Sequence, residues 1–171
     1  MTEILTRFPV PGDATAISAI DAQGLASGHA SFREQPHDWS SFQNSFMEGR
    51  GLALVAEDNH GVVAWAGVSP TSKRAVYRGV GEVSIYVSPR KQKCGVGRIL
   101  LDALVIASEQ AGFWTLVAQI FPENKSSLSL HAGCGFDVVG TRKRLGQMSY
   151  GPCAGDWRDV IMLERHSPLS C

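Results

Sequence analysis

The sequence predicts an α/β (α+β) fold, a single domain whose central twisted mixed β-sheet is flanked by helices. Three observations carry this. Strand-like and helical periodicities follow one another in the order βααβββαβαββ, which one sheet covered by helices satisfies. The 171 residues suit one domain with a sizeable core, and no repeat or low-complexity linker divides them. Finally, residues 80–111 pass from a β-rich run through a Pro-marked turn into a glycine-bearing loop and a helix.

A strand is expected over about 3–8, then Pro11-Gly12-Asp13, where Asp13 would cap a helix running to about Gln23. Residues 24–38 contain Gly, Ser and Pro and read as a loop; a helix follows over about 40–47. Leu52–Glu57 and Val62–Val68 form a hairpin around Asp58-Asn59-His60-Gly61. Residues 69–79 are polar and basic, a surface loop. Then come strand 80–87, helix 95–111, strand 115–121, helix 124–133, strand 136–143, a long loop Gln147–Gly155 and strand 157–164.

Composition excludes several classes. Sixteen basic and sixteen acidic residues cancel, so no global field favours nucleic acid or an anionic membrane. No apolar run approaches the ~20 residues of a membrane span. Met1-Thr2-Glu3-Ile4 lacks the basic and apolar regions of a secretory signal. Cysteines 94, 134, 153 and 171 form no CxxC pair and no metal-ligand spacing. The expectation is a cytoplasmic protein with reduced thiols and no metal.

The chemistry starts at Gln92-Lys93-Cys94-Gly95-Val96-Gly97-Arg98. The apolar positions Val96, Ile99, Leu100, Ala103, Leu104 and Ala107 recur at helical spacing. A loop that opens a helix offers unpaired N–H groups and the positive end of a helix dipole, both suited to phosphate. A dinucleotide fingerprint fails because Leu100 stands where its third glycine belongs, and no Walker-type loop occurs. What remains, Q-x-x-G-x-G on a strand-to-helix turn, resembles the pyrophosphate loop of the GNAT superfamily of N-acetyltransferases, which bind acetyl-CoA there.

Further residues carry the same resemblance. Asn124, Ser127, Leu130, His131, Gly135 and Phe136 look like the segment N-x-x-S/A-x-x-L-[YH]-x-x-x-G-F of that superfamily. The run Glu82-Val83-Ser84-Ile85-Tyr86-Val87-Ser88-Pro89, and His131 where most relatives carry Tyr, narrow it to the phosphinothricin and methionine sulfoximine acetyltransferase branch. Ser27–Arg33 and Gly155–Val160 add support, and the likeness covers roughly residues 4–164.

The resemblance implies a GNAT-type fold, acetyl-CoA as co-substrate and the α-amine of a small amino acid as acceptor, attacked directly in a ternary complex. It implies Glu82 as general base and His131 as a second proton-handling group. Read alone, Glu82 could equally be a surface residue at a strand end, and His131 a packed histidine. The backbone of Ile85, Tyr86 and Val87 would hold the thioester carbonyl and pantetheine arm. Gln92, Lys93, Cys94, Gly95, Val96, Gly97 and Arg98 would cradle the pyrophosphate, Lys93 and Arg98 adding charge. Asn124 and Ser127 would meet the cofactor as well; an N-cap role for Asn124 is compatible with this. Cys94 is read as an inert small residue, although exposure at a helix N-terminus would favour its thiolate. Phe32, Arg74, Tyr77 and Arg78 are the acceptor candidates, an arginine fork suiting a carboxylate. His29, His37, His60 and His166 match nothing and read as surface or loop histidines.

Departures from the branch lie on the acceptor side: Thr71 replaces a Trp, Ala22 an Asn, and 150–154 is unusual. Other amines (a polyamine, an aminoglycoside, a protein N-terminus) and a non-catalytic acetyl-CoA sensor stay open as alternatives. Homodimers are common in the branch, with the acceptor site near the interface.

Overall fold

The computed structural model describes residues 3–169; Cys171 lies outside them. Seven strands form one sheet: β1 (Leu5–Arg7), β2 (Leu52–Asp58), β3 (Gly61–Pro70), β4 (Val80–Val87), β5 (Thr115–Ile120), β6 (Asp137–Gln147) and β7 (Trp157–His166). Four helices accompany them: α1 (Ala14–Ala26), α2 (Trp39–Phe46), α3 (Val96–Gln110) and α4 (Lys125–Gly133). The strand order is β1-β2-β3-β4-β5-β7-β6, and only β4 and β5 run parallel.

Strand alternation assigns the two faces. Leu54, Ala56, Ala64 and Ala66 pack with Val96, Leu100 and Leu104 of α3. Ala53, Val55 and Trp65 point the other way, onto Ile17 and Ile20 of α1 and Phe42 and Phe46 of α2. Trp65 is fully buried and stacks on Tyr86 with ring centroids 4.8 Å apart. Burying a side chain of this class contributes ~1.5–3 kcal/mol, so each cluster is a substantial anchor.

Several boundaries differ from the sequence expectation. Helix α1 continues through Gly24 to Ala26. Gly24 lies against Tyr86, whose ring carbon would sit 2.6 Å from an added Cβ; packing there outweighs the glycine's low helix propensity. Asp13 occupies the N-cap of α1 but makes no side-chain cap bond. Its carboxylate takes the Arg7 guanidinium at 2.7 and 2.9 Å and the Val10 N–H at 2.8 Å instead. β6 extends to Gln147 and β7 to His166. The additions, Arg144–Gln147 on the edge strand β6 and Arg165–His166 at the end of β7, are mostly polar, so hydrophobic alternation gives little signal there.

Candidate active site

The decisive feature is where β4 and β5 part. Their pairing comprises Val80↔Thr115, Gly81↔Leu116 and Glu82↔Val117, yet β4 continues to Val87 and β5 to Ile120. The strands therefore fork immediately beyond Glu82. The opening is part of a cleft of about 1160 Å³ lined by Val83–Val87, Ala118–Phe121, the 91–98 loop and α4. Beyond the fork, amides on the facing edges of both strands lack a strand partner, so they are free to meet a ligand's polar groups.

The 92–98 loop closes one end. Lys93 and Gly95 both take left-handed backbone, φ 59° and 81°, which turns successive amides inward as an anion-binding concavity does. Gly95 is the N-cap of α3 and contributes no capping side chain. The helix's first bond runs from Ile99 N–H to Gly95 O at 3.1 Å, leaving the amides of Val96, Gly97 and Arg98 without helical acceptors. Lys91 pairs with the Asp58 side chain at 2.9 Å, tying the loop to the β2–β3 turn. Lys93 is exposed, while Arg98 pairs with Asp102 at 2.7 Å. Cys94 is exposed, its thiol 3.4 Å from Gln92 O.

Glu82 stands at the vertex of the fork. Gln119 Nε2 donates to its Oε2 at 3.0 Å, and Arg142 Nη1 approaches Gln119 Oε1 at 3.4 Å. His131, on α4, is buried and lines the same cleft. Its Nδ1 lies 2.8 Å from Ser127 O. A carbonyl only accepts, so Nδ1 carries the hydrogen and Nε2 is a bare acceptor. That Nε2 is buried and unpartnered. Burial holds the His131 pKa below its usual 6.5, only partly opposed by the Ser127 bond, so the ring is a neutral acceptor at neutral pH.

Asn124 is committed within the chain. Its Oδ1 accepts from Ser127 N–H at 3.2 Å, capping α4, and its Nδ2 donates to His29 O at 3.2 Å. Of the acceptor candidates, Phe32 lines the cleft, edge-on to Phe121 at 4.9 Å. Arg74, Tyr77 and Arg78 are exposed in the β3–β4 connection and are not brought to the cleft. Arg74 stacks on Tyr77 at 5.6 Å and Arg78 on Trp114 at 5.2 Å.

Sequence reasoning passed over Gln119, Arg142 and the contacts of Arg158, and misplaced two histidines. Gln119 left a signal, being a polar residue between Ala118 and Ile120 in an apolar strand. Arg158 left none. It is 4% exposed and donates to Gly28 O, His29 Nδ1 and Glu123 Oε2, with its guanidinium 4.0 Å over Phe121. His29 is thus a wall residue of the cleft, held from two sides. His37, expected on the surface, packs beside Phe46 and Trp65 and bonds Asp21 at 3.2 Å. Asp21 is fully buried. Burial opposes its ionisation, but bonds from His37 and Arg33 outweigh that and hold its carboxyl below the usual range. Arg142 was not weighed either. The 147–155 loop docks on this end of the cleft: Met148 is buried with Phe121 and Val160, and Tyr150 Oη donates to Ser31 O at 2.7 Å.

The forked strands and the helix-opening amide nest together form a cleft suited to an extended ligand that carries phosphate. A profile of the Acetyltransferase (GNAT) family matches residues 21–136. The chain belongs to that family: it is an N-acetyltransferase with acetyl-CoA as its co-substrate. It is 34% identical to the phosphinothricin N-acetyltransferase of Alcaligenes faecalis, over 90% of this chain and 77% of that one. It is 30% identical to the L-amino acid N-acyltransferase MnaT of Escherichia coli K12, over 92% and 91% respectively. Among solved structures, a GNAT superfamily phosphinothricin acetyltransferase from Sinorhizobium meliloti in complex with AcCoA superimposes with a TM-score of 0.83 at 30% identity, covering 95% of this chain and 88% of that one.

No helix among the described residues is long and apolar enough to cross a membrane.

Proposed function

We propose that this enzyme acetylates the α-amine of a small amino acid or amino-acid analogue, of the phosphinothricin, methionine sulfoximine and methionine sulfone kind, by direct transfer in a ternary complex. The observation that carries this is Glu82 at the vertex of the forked strands. An acyl group lying in the fork reaches the carboxylate end first. Acetyl-CoA lies with its pyrophosphate on the 92–98 amides and its pantetheine along Ile85, Tyr86 and Val87, near Ser127. Asn124 acts on this cofactor by shaping the start of α4, since its own amide is engaged.

The acceptor ammonium must first lose a proton. Glu82 takes it, and the free amine attacks the thioester carbon; the tetrahedral oxyanion is met by backbone N–H groups of β4. The C–S bond then breaks, the attacking nitrogen gives up its second proton to the departing sulfur, and CoA leaves as the thiol. His131 Nε2 enters as an acceptor, suited to receiving a hydrogen bond from the amine or the released thiol. Phe32 and Phe121 bound the acceptor's side chain. Arg74, Tyr77 and Arg78 act on the acceptor in this reading only if the β3–β4 connection of a second copy is brought to the cleft, as a homodimer would allow.

Glu82→Gln tests the base. It keeps size and hydrogen bonding but removes the proton acceptor. The expected result is a fall in kcat of about 10²–10⁴-fold, the usual weight of general base catalysis, with KM for acetyl-CoA nearly unchanged. An unchanged kcat removes Glu82 from the mechanism.

A further inference from the structure

We infer that Arg142 reads the carboxylate of the acceptor, holding an α-amino acid with its amine against Glu82. The inference rests on the α-amino-acid reading above and assigns within it a residue that the sequence resemblance does not mark.

The strand register places Arg142 on the acceptor face. Ile161 and Leu163 of β7 point into the α3 side of the sheet. Val160 points to the opposite side, where it packs with Phe121 and lines the cleft. Arg142 is directly across from Val160 in the β6–β7 pairing, and directly paired strand residues share a face. Gln119 reaches both Arg142 and Glu82 from β5.

The other cations around this end are committed or turned away. Arg33 forks Asp21 at 2.7 and 2.8 Å. Arg158 is buried on Gly28, His29 and Glu123. Arg74 and Arg78, in the β3–β4 connection, are stacked on Tyr77 and Trp114; Arg142 does not line the cleft either, but it reaches the lining residue Gln119. Next to Arg142 the strand bulges, with its register shifting between Arg142 and Gly146. Lys143 Nζ and the Arg144 N–H both go to Asp159, at 3.0 and 2.8 Å. Arg142 is exposed, and its contact within the chain is the long 3.4 Å approach to a neutral amide oxygen. Its fork is therefore available to a ligand.

The spacing suits the zwitterion. One amide group separates the Arg142 guanidinium from the Glu82 carboxylate, through contacts of 3.4 and 3.0 Å. An α-amino acid carries its ammonium and carboxylate on a single carbon. Set beside Gln119, it offers the ammonium to Glu82 and the carboxylate to Arg142, so each charge meets its opposite. A planar guanidinium reads a carboxylate through two parallel bonds, which fixes the α-carbon's orientation and aims the amine at the fork.

The test compares methionine sulfone with its primary carboxamide as acceptors, with saturating acetyl-CoA, for the wild type, Arg142→Gln, Arg142→Lys and Lys143→Gln. The amine and side chain are the same in both acceptors; only the carboxylate differs. The expected result is that Arg142→Gln raises KM for the acid about ten- to a hundredfold, the weight of a charged hydrogen-bonded pair. KM for the amide and for acetyl-CoA should move less than about twofold, Arg142→Lys should fall between, and Lys143→Gln should behave as wild type. Equal KM for the acid in wild type and Arg142→Gln overturns the inference while leaving the proposed function intact. Acid and amide weakened alike by Arg142→Gln also overturns it. A wild type that turns over other amines but no α-amino acid overturns the proposed function itself, and this inference with it.

Discussion

His131 shows how burial selects one chemical role for a side chain. Its ring is 2% exposed, lies edge-on to Phe136 at 5.0 Å and has one nitrogen fixed by Ser127 O. Burial lowers its pKa below 6.5. As pH falls, the unfolded chain therefore takes up this proton before the folded one does. The stability attached to His131 is present above about pH 6.5 and is lost as pH drops through that value toward the lower folded pKa. Urea titrations of wild type and His131→Asn across this range check it: the wild type should lose stability more steeply with acid than the variant. Parallel slopes would contradict a depressed pKa. Arg158 is the complementary case, a buried cation made tolerable by three acceptors and an aromatic face. It fastens the 28–29 segment to the end of β5. The candidates Glu82 and His131 could be picked out in the sequence because they sit in recognisable runs; the contacts of Arg158 with Gly28, His29 and Glu123, and of Arg142 with Gln119, could not, because they join segments distant in the chain.

At the level of elements, the amide nest before α3 is the working part. Its left-handed backbone at Gly95, φ 81°, is a conformation that L side chains rarely adopt, and an added Cβ would meet nothing within 4 Å. Gly95→Ala therefore probes backbone geometry free of any clash. The strain is about 1–2 kcal/mol, so Tm should fall by roughly 2–8 °C, and KM for acetyl-CoA should rise several-fold as the amides lose alignment. Unchanged binding of acetyl-CoA would mean that the nest does not hold the pyrophosphate. The sequence read β4 with its observed bounds and α3 to within a residue, because apolar periodicity is strong in both. β6 escaped in part. It is an edge strand of eleven residues, of which ten are exposed, and its end beyond Lys143, Arg-Leu-Gly-Gln, does not read as strand because no core face imposes alternation there. Gly24 misplaced the end of α1 for the opposite reason: a tertiary contact with Tyr86 overrode a local signal.

On the scale of the whole molecule, function arises from an interruption of the sheet. β4 and β5 pair for three residues and then separate, and the order β5-β7-β6 brings the last strand back between its predecessors. Neither feature is local, so neither could be read from periodicity; the sequence reached the same conclusion only through family-like motifs. The helices of the α1–α2 side pack over β2, β3 and β4, so Gln119, Arg142 and Glu82 lie toward the less covered end of that face. This leaves an approach for an acceptor opposite the side where α3 presents its amides. The most direct test of the account is CoA-thiol release from acetyl-CoA across a panel of phosphinothricin, methionine sulfoximine, methionine sulfone, the common amino acids, a polyamine and an aminoglycoside. The account predicts strong turnover confined to the free α-amino acids and their analogues. Turnover on the polyamine or aminoglycoside alone, or acetyl-CoA binding without thiol release on any amine, would contradict it.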